Sequence, residues 1–229
     1  SAQNAGVDCA DILAANPDAE DGTYWIDPDG DGADSFEVYC DMTTDGGGWT
    51  LIESYDISHA ESRANAAFSS VDLPVSEDSL DWDNYRLSKG RLDALLMGAD
   101  GEVHARCHRD EAQSLDDWFI GDQELIKSSI VKPLDTNSSN PYGVQGKIRG
   151  YDLNDYNMYW VNEQSDVGGS YHPGFDAEAS AIPGFTDSED SFAWVDGTLN
   201  SNHLCHREEG EIVWMVRRSI CGNGQQEGD

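Results

Sequence analysis

Carboxylates dominate the side chains able to do chemistry in this sequence, and they come in clusters. Asp187, Glu189, Asp190 and Asp196 put four acids within ten residues, in a stretch with no Lys or Arg from 150 to 206. Acids that close, with no cation near in sequence, make either a solvated loop or a seat for a hard cation. Calcium takes about six to eight oxygens from carboxylates, amides and carbonyls. A second group combines the amide of Asn202, the imidazole of His203 and the carboxylates of Glu208 and Glu209. An ion there would acidify a bound hydroxyl, whose proton His203 could accept. The alternative for this group is a polar loop in which His203 makes a structural hydrogen bond.

Three further patterns bear on ligands. The run Asp27-Pro28-Asp29-Gly30-Asp31-Gly32-Ala33-Asp34 follows the opening of an EF-hand loop, but the twelfth position is Val38 rather than Glu. Pro-Asp-Gly is also a common turn sequence, so a plain hairpin turn is the expectation and a calcium loop the alternative. Tyr171 and His172, in a Gly-rich run, and Trp194 are candidates for a sugar platform, since aromatic faces stack on pyranose C–H faces. With seven Trp in the chain, most belong to the core. The segments His104 to His108 and His203 to His206 hold four of the six histidines, together with Cys107 and Cys205. A zinc site there, and with it a metal-dependent hydrolase, would need free thiolates in a tetrahedral set, and the spacing lacks a CxxC pair. No GxSxG elbow, HExxH helix, P-loop or dinucleotide fingerprint is present, so catalysis has no local signature.

Composition limits the function classes. The chain has 229 residues, with 13 basic against 45 acidic side chains and a net charge of −32. Phosphate recognition depends on clustered Lys and Arg, so nucleic acid is excluded as a partner. A 38% hydrophobic content rules out disorder, and the absence of a long apolar run argues against membrane insertion. The acids are uneven: residues 1 to 62 carry 15 and residues 150 to 206 carry 10, both without a single Lys or Arg. Five cysteines in a chain full of Gly and Asp loops point to an oxidising compartment, with two disulfides and one thiol over.

These groups need a scaffold. Asp8 followed by Cys9, Ile12 and Leu13 predicts a short capped helix stopped by Pro17. Thr23 to Ile26 and Ser35 to Tyr39 alternate around the Asp turn and predict a hairpin. Trp49 to Ile52 predicts another strand, and Leu87, Leu92, Leu95 and Leu96 an amphipathic helix begun at Ser88. Short runs at 102–106, 117–120, 144–149, 157–161 and 211–217 predict further strands. One α+β domain to residue 219 follows.

Tyr39-Cys40-Asp41-Met42, then Gly46-Gly47-Gly48-Trp49-Thr50, resembles the YCDM and GGGWT signature of fibrinogen C-terminal-like domains and the intelectins, or X-type lectins. Asp21-Gly22-Thr23-Tyr24-Trp25-Ile26 is similar too. The segment Asn200 to Cys205 resembles an intelectin segment that precedes the terminal strand. The resemblance implies a fold with twisted, mostly antiparallel sheets, short helices and long metal-binding loops. It places the first disulfide on Cys9 and Cys40, and the secreted context it implies favours Cys107 with Cys205. It also implies calcium near Asp56 and His59, at Asp187 to Asp196 and at Asn202 to Glu209, and a glycan diol bound through the ion beside His203. The long Gly-rich loop of intelectins after the His-Cys segment is replaced here by His206 to Gly210. The tail 220–229, beginning at Cys221-Gly222-Asn223-Gly224, resembles the start of the CGNG repeats of bacterial surface proteins. The expected protein is a secreted or cell-surface, non-enzymatic lectin-like module with Ca2+ as cofactor and glycans as partners; the alternative is a calcium-stabilised adhesion module.

Overall fold

The computed structural model describes residues 5–59, 68, 71–96, 100–107, 118–123, 126, 145–148, 151–152, 158–161, 174–177 and 211–219. The first helix, α1 (Cys9–Ala15), starts where expected. Asp8 is extended, and its Oδ1 accepts the Asp11 N–H at 2.7 Å, which satisfies one of the orphan donors of the first turn. The helix ends at Asn16, whose N–H reaches the Ile12 carbonyl at 2.9 Å.

The strands are β1 (Gly22–Ile26), β2 (Phe36–Asp41), β3 (Trp49–Asp56), β4 (Asn84–Arg86), β5 (Gly101–Cys107), β6 (Trp118–Asp122), β7 (Gln145–Ile148), β8 (Tyr151–Asp152), β9 (Met158–Val161), β10 (Gly174–Ala177) and β11 (Glu211–Arg218). A second helix, α2 (Lys89–Leu96), buries Leu92, Leu95 and Leu96. Nine strands form one sheet in the order β1-β2-β3-β11-β5-β6-β7-β8, with β4 also on β3, and β9 pairs β10 separately. Among the described residues every pair of named strands is antiparallel, so the α+β, mostly antiparallel expectation holds.

The last described strand lies mid-sheet, between β3 and β5. Ile212 to Val216 are all buried, the continuous apolar pattern of a strand covered on both faces. Trp214 packs edge-on against Phe68 and Phe119, with centroids 5.7 and 5.5 Å away. The Gly46-Gly47-Gly48 run has a local reason: Asp45 to Gly48 all have positive φ, between 47° and 85°. A Cβ on Gly47 would fall 2.0 Å from the Met42 carbonyl oxygen, and one on Gly48 2.9 Å from Ala10 Cα. The glycines therefore let the turn into β3 pass directly under α1.

Cys9 and Cys40 form a disulfide with Cα atoms 5.5 Å apart, closing a separation of 31 residues. A link of that length stabilises by about 3–4 kcal/mol, chiefly by restricting the unfolded chain. Cys107 is disulfide-bonded as well; Cys205 and Cys221 lie outside the described residues. The tail 220–229 is outside them too. Among the described residues no helix is long and apolar enough to cross a membrane.

Candidate metal centre

The turn joining β1 to β2 folds back on its own side chains. The Asp27 carbonyl accepts the Gly30 N–H at 3.1 Å, and Asp27 Oδ2 accepts the Gly32 N–H at 2.8 Å. Asp29 Oδ1 takes the Asp31 N–H at 3.2 Å and Asp31 Oδ1 the Ala33 N–H at 2.7 Å. Gly30 and Gly32 supply φ of 73° and 77°, a backbone that other residues adopt only with strain. These bonds gather one carboxylate oxygen from each of Asp27, Asp29, Asp31 and Asp34 within 4.8 Å of one another. Asp29, Asp31 and Asp34 are exposed, whereas Asp27 is only 7% exposed. Its Oδ1 is buried, and no donor among the described residues reaches it.

A buried carboxylate oxygen without a donor is costly, and three more carboxylates beside it add repulsion. No Lys, Arg or His among the described residues pairs with the four Asp. The donor set is all hard oxygen, which suits calcium or magnesium rather than zinc. Four carboxylates supply about half of the six to eight oxygens calcium takes, leaving backbone carbonyls and water to complete the shell. Asp27, Asp29, Asp31 and Asp34 could therefore hold a metal ion. The run is the hairpin turn expected from the sequence, and its turn bonds are what converge the carboxylates. The signal in the sequence is the Asp-x-Asp-x-Asp-Gly spacing, which here lacks the twelfth-position Glu of an EF-hand loop.

Of the residues expected to ligate metal, Asp56 and His59 are described, and they meet each other. Asp56 Oδ1 lies 2.7 Å from His59 Nδ1 and accepts the Ser58 hydroxyl at 2.6 Å. Burial works to raise the Asp56 carboxyl, but the bonds from Ser58 and His59 outweigh it and hold it below the usual carboxylate range. Asp187, Glu189, Asp190, Asp196, Asn202, His203, Glu208 and Glu209 lie outside the described residues, as do Tyr171, His172, Trp194 and Cys205.

The zinc reading of the Cys-His segments is corrected. Cys107 is locked in a disulfide and cannot be a thiolate ligand. His104 is 4% exposed and sits between Trp49 and Trp118, with centroids 5.2 and 6.1 Å away. Burial, with Arg106 and Arg217 adding to it, drives its imidazole down to about 3. It is a neutral core residue.

A groove of about 1040 Å³ opens between α1, the glycine turn and the end of β11, lined by Leu13, Pro17, Met42, Glu102, Arg217 and Arg218 among others. Its cations are committed. Arg217 lies 4.0 Å over the Trp49 ring, donates to the Asp45 and Gly47 carbonyls at 2.7 and 3.0 Å and pairs with Glu102. Arg218 Nε is 3.1 Å from Asp8.

Comparison with a family model bears on the first third of the chain. The profile of the fibrillar collagen C-terminal domain matches residues 1–71. Human fibroleukin is 47% identical over 47 residues, 20% of this chain and 10% of that protein. Rat tenascin-R is 34% identical over 99 residues, 42% of this chain and 7% of its own. Mouse tenascin is 50% identical over 45 residues, 20% and 2% respectively. The matched part thus spans a tenth or less of each of these relatives. Among solved structures, the fibrinogen-like globe domain of human ANGPTL6 aligns at 15% identity over 94% of this chain and 96% of its own, with a TM-score of 0.46. Lamprey fibrin D-dimer, complexed with the peptide ligand Gly-His-Arg-Pro-amide, aligns at 14% over 98% and 79%, also at 0.46. Likeness of that size adds nothing to the strand order above. The matched residues 1–71 contain the Cys9–Cys40 disulfide, the glycine turn and, between β1 and β2, the four-Asp turn.

Proposed function

We propose that this chain is an extracellular, non-catalytic recognition module that binds calcium and, with its help, carbohydrate. Asp27 carries the reading: it has a buried carboxylate oxygen with no donor among the described residues, and its carboxylate belongs to a cluster with three exposed ones in a turn whose bonds already converge them. Such a site is preorganised for a divalent oxygen-seeking ion, and calcium tolerates irregular, partly hydrated shells where magnesium demands near-octahedral ones. Two disulfide-bonded sites, at Cys9–Cys40 and at Cys107, accord with secretion or display at a cell surface.

The carbohydrate part rests on the resemblance of the segment around His203. There Asn202, His203, Glu208 and Glu209 are a second ion seat facing a glycan diol, Asp187, Glu189, Asp190 and Asp196 a third, and Trp194, Tyr171 and His172 the stacking surface. Calcium titration calorimetry on chelator-stripped protein, followed by a glycan array with and without chelator, tests both parts. The expected result is a calcium heat and chelator-sensitive sugar binding that His203→Ala removes. A flat array at millimolar calcium overturns the sugar part and leaves the alternative, a calcium-stiffened adhesion module whose partner is a protein. Absence of any calcium heat overturns the metal part.

A further inference from the structure

We infer that ion binding in the Asp27–Asp34 turn and docking of the amino-terminal arm, residues 5–8, are one coupled equilibrium, so that calcium governs how firmly the arm is held on the sheet edge. The inference rests on the calcium reading of the turn and adds what the ion would regulate.

Asp27 serves both structures. Its backbone N–H donates to the Gly6 carbonyl at 2.8 Å, and the Gly6 N–H reaches the Trp25 carbonyl at 3.3 Å. Gly6 is thereby bridged in parallel to Ile26 beside β1. The same Asp27 holds the turn through Oδ2 and offers one carboxylate oxygen to the cluster, while its Oδ1 is buried with no donor among the described residues. The arm fits closely: a Cβ on Gly6 would fall 2.5 Å from Ile12 Cγ1. It continues into Val7, whose N–H donates to Asp11 at 3.1 Å, and into Asp8, which caps α1 and pairs with Arg218 of β11.

Without an ion, mutual repulsion of the four carboxylates pushes them apart. Asp27 is the member whose backbone is tied to the arm, so relief of that repulsion works against the Asp27–Gly6 bond. With an ion bound, the cluster is drawn together around Asp27, and the position of its main chain becomes part of the ion site. Binding that requires the docked arm must stabilise the docked arm by the same factor, because coupling between sites is reciprocal.

The test uses the whole chain and calcium alone as the probe, reading backbone amide exchange at Gly6, Asp27 and, as a remote reference, Leu92 in α2. With free calcium about 100-fold above its dissociation constant, exchange at Gly6 and Asp27 should slow by up to about 100-fold relative to chelator. Leu92 should slow much less. Calcium binding with exchange at Gly6 and Asp27 unchanged within about twofold, or a slowing shared equally by Leu92, overturns the coupling and leaves the metal site standing. No calcium binding overturns both. From the arm side, Gly6→Val leaves all four carboxylates in place and should weaken calcium affinity by about tenfold; undiminished affinity counts against the coupling. Should that variant fail to fold, Asp31→Asn, an exposed change within the turn, should abolish the calcium effect on Gly6 exchange, and persistence of the effect overturns the inference.

Discussion

The carboxylates of the sheet and those of the β1–β2 turn belong to the same base-free stretch of sequence and have opposite surroundings. Outside the turn, each buried acid among the described residues meets an arginine far from it in sequence. Glu53, fully buried, is 2.9 Å from Arg86, which also lies over the Phe68 ring at 4.6 Å. Asp41 lies 3.6 Å from Arg106. Burial pushes its carboxyl up, but the bonds from Thr44 and Thr43 and the charge of Arg106 outweigh it and hold it below the ordinary range. Asp8 pairs with Arg218, yet there burial wins and its carboxyl is raised. The turn has four acids and no such partner among the described residues. A run of acids in sequence therefore does not mark a cation site by itself; what marks it is the subset that the fold leaves without a protein cation.

The contrast breaks first at Arg86. Arg86→Met should destabilise by about 3–5 kcal/mol, because it removes the guanidinium that faces the buried Glu53 carboxylate. Adding Glu53→Gln should recover much of that loss in denaturant titrations. A single variant within 1 kcal/mol of wild type would mean that sheet acids need their arginines no more than turn acids do.

Calcium is the corresponding probe of the turn. At 100-fold excess over the dissociation constant it should add about 2.7 kcal/mol, read as a rise in melting temperature on calcium addition that Asp27→Asn largely removes. If calcium stabilises that variant as much as wild type, the stabilising ion sits elsewhere.

The third test is acid. His104 is neutral in the fold, held down to about 3, while in the unfolded chain it titrates near its ordinary value of about 6.5. Below 6.5 the unfolded state binds more protons, so stability falls as pH drops toward 3. By pH 5 the loss from this group should be about 2 kcal/mol. His104→Phe should flatten the stability profile between pH 6.5 and 5, and an unflattened profile would reassign the acid sensitivity. The smallest effect belongs to the exposed Lys89–Asp93 pair on α2, where Asp93→Asn should cost about 0.5 kcal/mol or less. A larger loss would show that exposed pairs also carry the fold.

Much of the frame was legible in the residues. The Asp8 cap, the β1–β2 hairpin, the glycine turn and most strands follow from local patterns of capping, alternation and punctuation, which depend on neighbours in the chain. β4 escaped because three residues are too few to show a period. The placement of β11 mid-sheet escaped because strand order is a matter of long-range pairing. Cys9 with Cys40 was reached through resemblance, not spacing.

By itself, the sequence determined the class of the protein: an acidic, cysteine-bearing α+β chain unsuited to nucleic acid, with a hairpin turn rich in aspartate. It showed 15 acids before the first basic residue and could not say which of them lacked a counter-charge. Only the tertiary structure decided that. Arg86, Arg106, Arg217 and Arg218 return across the sheet to Glu53, Asp41, Asp45 and Asp8, and none reaches Asp27. The physical reason is the range of the interaction: a charge pair is set by a few ångströms of space, and neighbours at that range are chosen by strand order rather than by position along the chain.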